Sequence, residues 1–211
     1  MLPKNINAYF LDFDGVVVES TAIKTEAFYE VYKPFGENIA RMAKEYHLEH
    51  QGITRAVKFH EIHQRFLGKE CSENEQAILS QVFSKFVFEE ILQCPLVEGI
   101  IEFLQENQKN NIPVFLMSAT PDEELRRIVD HRGLSPYFTE IHGAPRTKVD
   151  IGRDLLGRYE FNRDQVVFIG DSISDYQASK ELQTQFIGRQ VPYTPIVFQD
   201  VPVIHIFQEI L

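Results

Sequence analysis

The sequence lacks tryptophan altogether and holds two cysteines and three methionines among its 211 residues. Two thiols, Cys71 and Cys94, cannot build the disulfide framework of a small secreted domain or a four-thiolate zinc site, and both are read as free. Basic side chains are also in short supply: 21 Lys and Arg stand against 31 Asp and Glu, a formal net charge of −10. That balance is unsuited to the phosphate backbone of nucleic acid, so no nucleic-acid partner is expected. A small anionic substrate stays open, because a few local cations or a metal ion reverse the field inside one cleft. No run approaches the ~18 apolar residues of a membrane span. The start, Met1-Leu2-Pro3-Lys4-Asn5, lacks the apolar segment of a signal peptide. A reducing, cytoplasmic setting with no membrane partner is therefore the expectation. Repeats, low-complexity tracts and flexible linkers are not evident, and oligomeric state is not legible.

What is present suits a globular chain. Hydrophobic residues make up 44% and charged residues 25%, enough to bury a sizeable core in one large domain or one domain with an insertion. Three short apolar runs read as strands buried on both faces of a parallel sheet: Asn7–Leu11, Pro113–Met117 and Gln165–Ile169. Glu140–His142 and Gln185–Ile187 are weaker candidates, and Val201–Phe207 suits an edge strand and a short terminal helix. Helical patterns between most of them point to an α/β fold with a mainly parallel sheet.

One spacing is abnormal. A βαβ unit needs roughly 30 residues, yet the first two strong strands lie about 100 residues apart. The segment between them has helical character: Ala22–Tyr32, Thr54–Phe66, and Glu73–Gln93 with Ile78, Val82, Phe83, Phe86, Ile91 and Leu92 near helical spacing. Residues 18–95 are therefore expected to form an inserted all-α domain, and residues 1–17 and 96–211 the α/β core.

Ligands of an open parallel sheet bind beyond the carboxyl ends of its strands. Asp12 and Asp14 follow the first strand, Ser118 and Thr120 the second, Asp171 and Asp175 the third. If the strands are neighbours, these groups converge. Gathered carboxylates repel one another unless a hard cation lies between them, and Mg²⁺ takes one or two carboxylates plus substrate phosphate. Asp12, Asp171 and Asp175 suit such a shell. A helix cap or turn is the alternative for any one of them alone.

Thr120-Pro121-Asp122-Glu123 matches a capping box with Thr120 at the N-cap, and a helix N-terminus suits an anion. Ser174-x-x-Gln177 is expected to cap the helix after the third strand in the same way. Lys148, in the loop Gly143–Lys148 before a helix near Val149, is the cation that a carboxylate-rich phosphate site needs.

Taken together, these residues resemble the four motifs of the haloacid dehalogenase-like hydrolase superfamily. Asp12-Phe13-Asp14-Gly15-Val16 resembles the first, Ser118 the second, Lys148 the third, and Gly170-Asp171-Ser172-Ile173-Ser174-Asp175 the fourth. The inserted helices resemble the cap of the subgroup containing β-phosphoglucomutase and phosphoglycolate phosphatase. The resemblance implies a Rossmann-like three-layer core and a Mg²⁺-dependent phosphatase acting on a small phosphorylated metabolite, with a sugar phosphate preferred. It implies Asp12 as nucleophile, forming an aspartyl-phosphate, and Asp14 as acid and then base. Ser118, Ala119 and Lys148 are implied to hold the phosphoryl group. Asp12, the backbone carbonyl of Asp14, Asp171 and Asp175 are implied to serve the metal. Three carboxylates, one divalent ion and one lysine sum to neutrality before substrate arrives, so the site tolerates a phosphate dianion.

Asp14 favours a phosphate ester over a carbon–halogen or phosphonate substrate, because only an ester needs a leaving-oxygen acid. Gly52-Ile53-Thr54-Arg55 resembles the specificity loop of the cap, so Arg55 is a candidate for reading a carboxylate or second phosphate. Lys24 stands where relatives often carry a histidine, which weakens the phosphomutase alternative; Lys24 is a second candidate cation near the cleft. Lys58 is read as solvated. His60-Glu61-Ile62-His63 is one residue short of a zinc-binding His-Glu-x-x-His motif and, with His47 and His50, reads as surface or interhelix. A non-catalytic phosphate-binding protein on the same scaffold is the third alternative.

Overall fold

The computed structural model describes residues 5–192, 194 and 196–211, so the reading of Met1–Lys4 lies outside the described residues. The chain divides into two compact units, Met1–Glu19 with Pro95–Leu211, and Ser20–Cys94. In chain order the elements are β1 (Ala8–Leu11), α1 (Thr21–Tyr32), α2 (Glu37–Glu49), α3 (Arg55–Ile62), α4 (Glu73–Gln93) and α5 (Ile100–Lys109). There follow β2 (Val114–Pro121), α6 (Asp122–His131), β3 (Glu140–Ala144), α7 (Lys148–Arg158), β4 (Val166–Gly170), α8 (Ile173–Leu182), β5 (Gln185–Arg189) and β6 (Val203–Ile204).

The first unit is built on a six-stranded sheet in the order β3-β2-β1-β4-β5-β6, with every pairing parallel. β1 is wholly buried, and its side chains alternate between two layers. Ala8 and Phe10 join Phe115, Phe168 and the α7 and α8 residues Ile151, Leu155, Ala178 and Leu182 in one core. Tyr9 points the other way, its ring 4.8 Å from Phe103 of α5. This is an α/β fold of Rossmann-like, three-layer type. Because β2 and β4 both pair with β1, all three carboxyl ends open on the same edge.

Three local expectations are overturned. β2 does not stop at Met117: it continues to Pro121, which pairs with Ala144 after an irregularity in register. Ser118 and Thr120 therefore lie within the strand. The Thr120 capping box does not form; α6 begins at Asp122 with Pro121 at its N-cap and no side-chain cap. The sheet claims this backbone, and the Thr120 hydroxyl bonds Asp14 instead. The cap of α8 is likewise Ser172 with Asp175, two residues before the expected Ser174 with Gln177.

The second unit holds α1 to α4, with a π-turn at His63–Leu67. α2 is a helix that the hydrophobic pattern had not indicated. α4 carries a full capping box at Ser72 and Glu75. Phe28, Phe59 and Phe83 pack together at its centre. Lys58 corrects the expectation of a solvated cation. It is buried, its Nζ 2.8 Å from His47 Nδ1 and 5.3 Å from the centroid of the Phe28 ring. Burial, then the charges of Lys58 and Lys24, hold His47 well below its usual range, so its imidazole accepts as a neutral base. Cys71 and Cys94 are free thiols. No helix among the described residues is long and apolar enough to cross a membrane.

Candidate active site

Asp12 is the first residue beyond β1. Its amide continues the ladder by donating to Ile169 O at 3.0 Å, and its Oδ1 accepts from Phe13 N at 2.7 Å. The carboxylate is therefore locked at the strand end. The chain then turns sharply: Val17 N bonds Phe13 O and Gly15 N bonds Val18 O, both at 2.8 Å. Gly15 permits the turn because its φ is +72°, where a Cβ would be strained.

The turn leaves Asp14 half-buried beside β2, where Thr120 Oγ1 donates to its Oδ2 at 3.2 Å. Ser118, also on β2, is buried, and its Oγ accepts from Thr120 N at 3.1 Å. Ala119 between them is half-buried.

Asp171 and Asp175 come from the end of β4 and the first turn of α8. Asp175 is fully buried, and its Oδ2 accepts from Ser172 N at 3.1 Å and Ser172 Oγ at 2.6 Å. Gly170 makes room for it: a Cβ there would stand 2.2 Å from the Cβ of Asp175. Asp12, Asp171 and Asp175 each offer one carboxylate oxygen, all within 4.8 Å of one another and all buried. Hard oxygen donors this close suit a small divalent cation such as Mg²⁺. Among the described residues no histidine joins a comparable group.

Lys148 opens α7, behind Thr147 as its N-cap. Its buried Nζ lies 2.8 Å from Asp12 Oδ1 and also bonds Asp175 Oδ1. Burial alone would lower the pKa of this ammonium, but Asp12 and Asp175 outweigh it and raise it. Burial, with repulsion from Asp175 and Asp14, pushes Asp12 up to about 7 against the pull of Lys148. Burial and the charge of Asp12 push Asp171 well above the usual carboxylate range. The site is thus over-supplied with negative charge by its own residues.

The first unit therefore brings Asp12, Asp14, Ser118, Lys148, Asp171 and Asp175 to one sheet edge. Arg55 and Lys24 belong to the second unit. Arg55 starts α3 with its guanidinium 5.3 Å from the centroid of Phe83, and Lys24 lies in α1. The sequence reading missed Thr120 as a partner of Asp14 and Ser172 as the donor that orients Asp175. The Ser172-x-x-Asp175 spacing was a signal for the second; nothing local signals the first.

A family profile described as haloacid dehalogenase-like hydrolase matches residues 6–183. No curated protein matches the sequence. Among solved structures the chain is similar to β-phosphoglucomutase from Clostridium difficile, at 18% identity and a TM-score of 0.78, covering 98% of this chain and 93% of that one. It is also similar to a protein described as a predicted phosphoglycolate phosphatase from Haemophilus somnus 129pt (18% identity, TM-score 0.76, 97% and 96% covered). A third is CbbY from Rhodobacter sphaeroides, solved with xylulose-(1,5)bisphosphate (18% identity, TM-score 0.74, 97% and 96% covered). At such identity the likeness shows the fold.

Proposed function

The chain belongs to the haloacid dehalogenase-like hydrolases, and from that membership we propose that it is a Mg²⁺-dependent phosphatase of a small phosphorylated metabolite. One observation carries the reading: the buried Asp12 carboxylate, at the end of β1, shares Lys148 with Asp175 and lies among oxygens fit for a divalent ion. Asp12, Asp171 and Asp175 would hold the ion, which when bound neutralises charge on the phosphoryl oxygens.

In the first step a carboxylate oxygen of Asp12 attacks phosphorus and the ester P–O bond breaks. Asp14 gives its proton to the leaving oxygen. The aspartyl-phosphate on Asp12 is then hydrolysed: Asp14 takes a proton from water, the resulting hydroxide oxygen bonds to phosphorus, and the bond to Asp12 breaks. Lys148 and Ser118 hold the phosphoryl oxygens in line, and the amide of Ala119 is proposed as a further donor. Little covalent chemistry falls to the protein, and positioning with charge stabilisation does most of the work. Arg55 and Lys24 are proposed to read the leaving group.

Hydrolysis of para-nitrophenyl phosphate with Mg²⁺ tests the reading. Phosphate release is expected from the wild type, and a loss of about a thousandfold or more from a folded Asp12→Asn. Equal rates would remove Asp12 from its role. The alternative is a phosphomutase, as in β-phosphoglucomutase. Lys24, where relatives often carry a histidine, speaks against it, and an isomerised sugar phosphate in place of free phosphate would reverse the assignment.

A further inference from the structure

Arg189, at the end of β5, is almost completely buried, yet none of the motifs claims it. Its guanidinium is spent on three residues of two segments, Gly15 and Glu19 in one and His205 in the other. Nη1 donates to Gly15 O at 3.0 Å and to Glu19 Oε2 at 2.9 Å, Nη2 bonds Glu19 Oε1, and Nε donates to His205 O at 3.2 Å. Two of these acceptors bracket the turn that follows Asp14. Glu19, whose amide also donates to Pro95 O at 2.9 Å, closes that turn.

Resting on the phosphatase reading, we infer that Arg189 is a positioning residue of the active site. Burying a guanidinium is costly unless it is fully paired, and a well-packed apolar side chain serves stability as well. What a planar fork adds is direction. By holding the Gly15 carbonyl it fixes the peptide plane one residue beyond Asp14, and by holding Glu19 it fixes the far end. The placement of Asp14, which immediately precedes the clamped Gly15, depends on that clamp. Lysine cannot span the same acceptors.

The experiment compares wild type, Arg189→Met and Arg189→Lys below their melting temperatures, by para-nitrophenyl phosphate kinetics and by calorimetric titration with Mg²⁺ alone. Arg189→Met is expected to lose about tenfold to hundredfold in kcat with KM little changed, and to bind Mg²⁺ more weakly. Arg189→Lys recovers part of both. A folded Arg189→Met with wild-type kcat and wild-type Mg²⁺ affinity overturns the inference, as does a change confined to KM. If Arg189→Met does not fold, Arg189→Lys decides on the same readouts. Wild-type protein that binds Mg²⁺ but hydrolyses no phosphate ester defeats the phosphatase reading, and the calorimetric comparison then decides on Arg189 by itself.

Discussion

The Nζ of Lys148 lies 2.8 Å from Oδ1 of Asp12, and both side chains are buried. The same ammonium also bonds Asp175, so a single cation ties the ends of β1 and α8 together.

Removing it leaves three buried carboxylates without their lysine. Lys148→Met is expected to lose about 3–5 kcal/mol of stability in EDTA, as when one partner of a buried pair is deleted. A bound divalent ion compensates, so the rise in melting temperature on adding Mg²⁺ should be larger in the variant than in wild type. Thermal unfolding with and without Mg²⁺ measures this, and equal rises would show that lysine and ion do not share a charge balance. Phosphatase activity should fall in the variant under both conditions.

The raised Asp12 carboxyl links metal binding to pH. With its pKa pushed up to about 7, the folded metal-free protein holds a proton that the unfolded chain, near 3.9, has released. Its contribution to stability therefore falls as pH rises from about 4 to about 7. The ion binds the deprotonated carboxylate, so affinity should rise by about tenfold per pH unit up to that pKa, with proton release. Calorimetry in buffers of different ionisation enthalpy reads both, and affinity constant from about pH 5.5 to 8 would contradict the linkage.

Thr120 Oγ1 donates to Oδ2 of Asp14 and so holds the proposed acid–base carboxyl against β2. Thr120→Val should lower kcat by about tenfold, a fraction of what general acid–base catalysis contributes, with KM nearly unchanged. Thr120→Ser, which keeps the hydroxyl, should behave as wild type. A KM effect alone would place Thr120 in binding.

Two glycines give a paired test. A Cβ on Gly170 would meet Asp175 at 2.2 Å, while one on Gly157 meets nothing within 4 Å. Gly170→Ala should cost more than about 1–3 kcal/mol and weaken Mg²⁺ binding, because Asp175 must move. Gly157→Ala, inside α7, should gain about 0.5–1 kcal/mol and leave turnover alone. Chemical denaturation and Mg²⁺ titration of both variants separate the effects.

The sequence by itself determined the strands and the acids at their ends. A run such as Ala8–Leu11 suits a strand buried on both faces, and acids that end such runs belong at the carboxyl edge of the sheet, where ligands bind. The α/β class follows from the same runs. Where local rules competed, tertiary structure decided. Thr120-Pro121-Asp122-Glu123 is a sound capping pattern, but pairing with β3 carries the strand through it and turns the hydroxyl to Asp14. Lys58 looked like a surface lysine until packing against Phe28 and His47 enclosed it. The grip of Arg189 on Gly15 joins residues 174 positions apart, beyond any local periodicity. Periodicity and end residues report what one segment needs from its surroundings; which partner meets that need is set when the sheet order brings distant strands side by side.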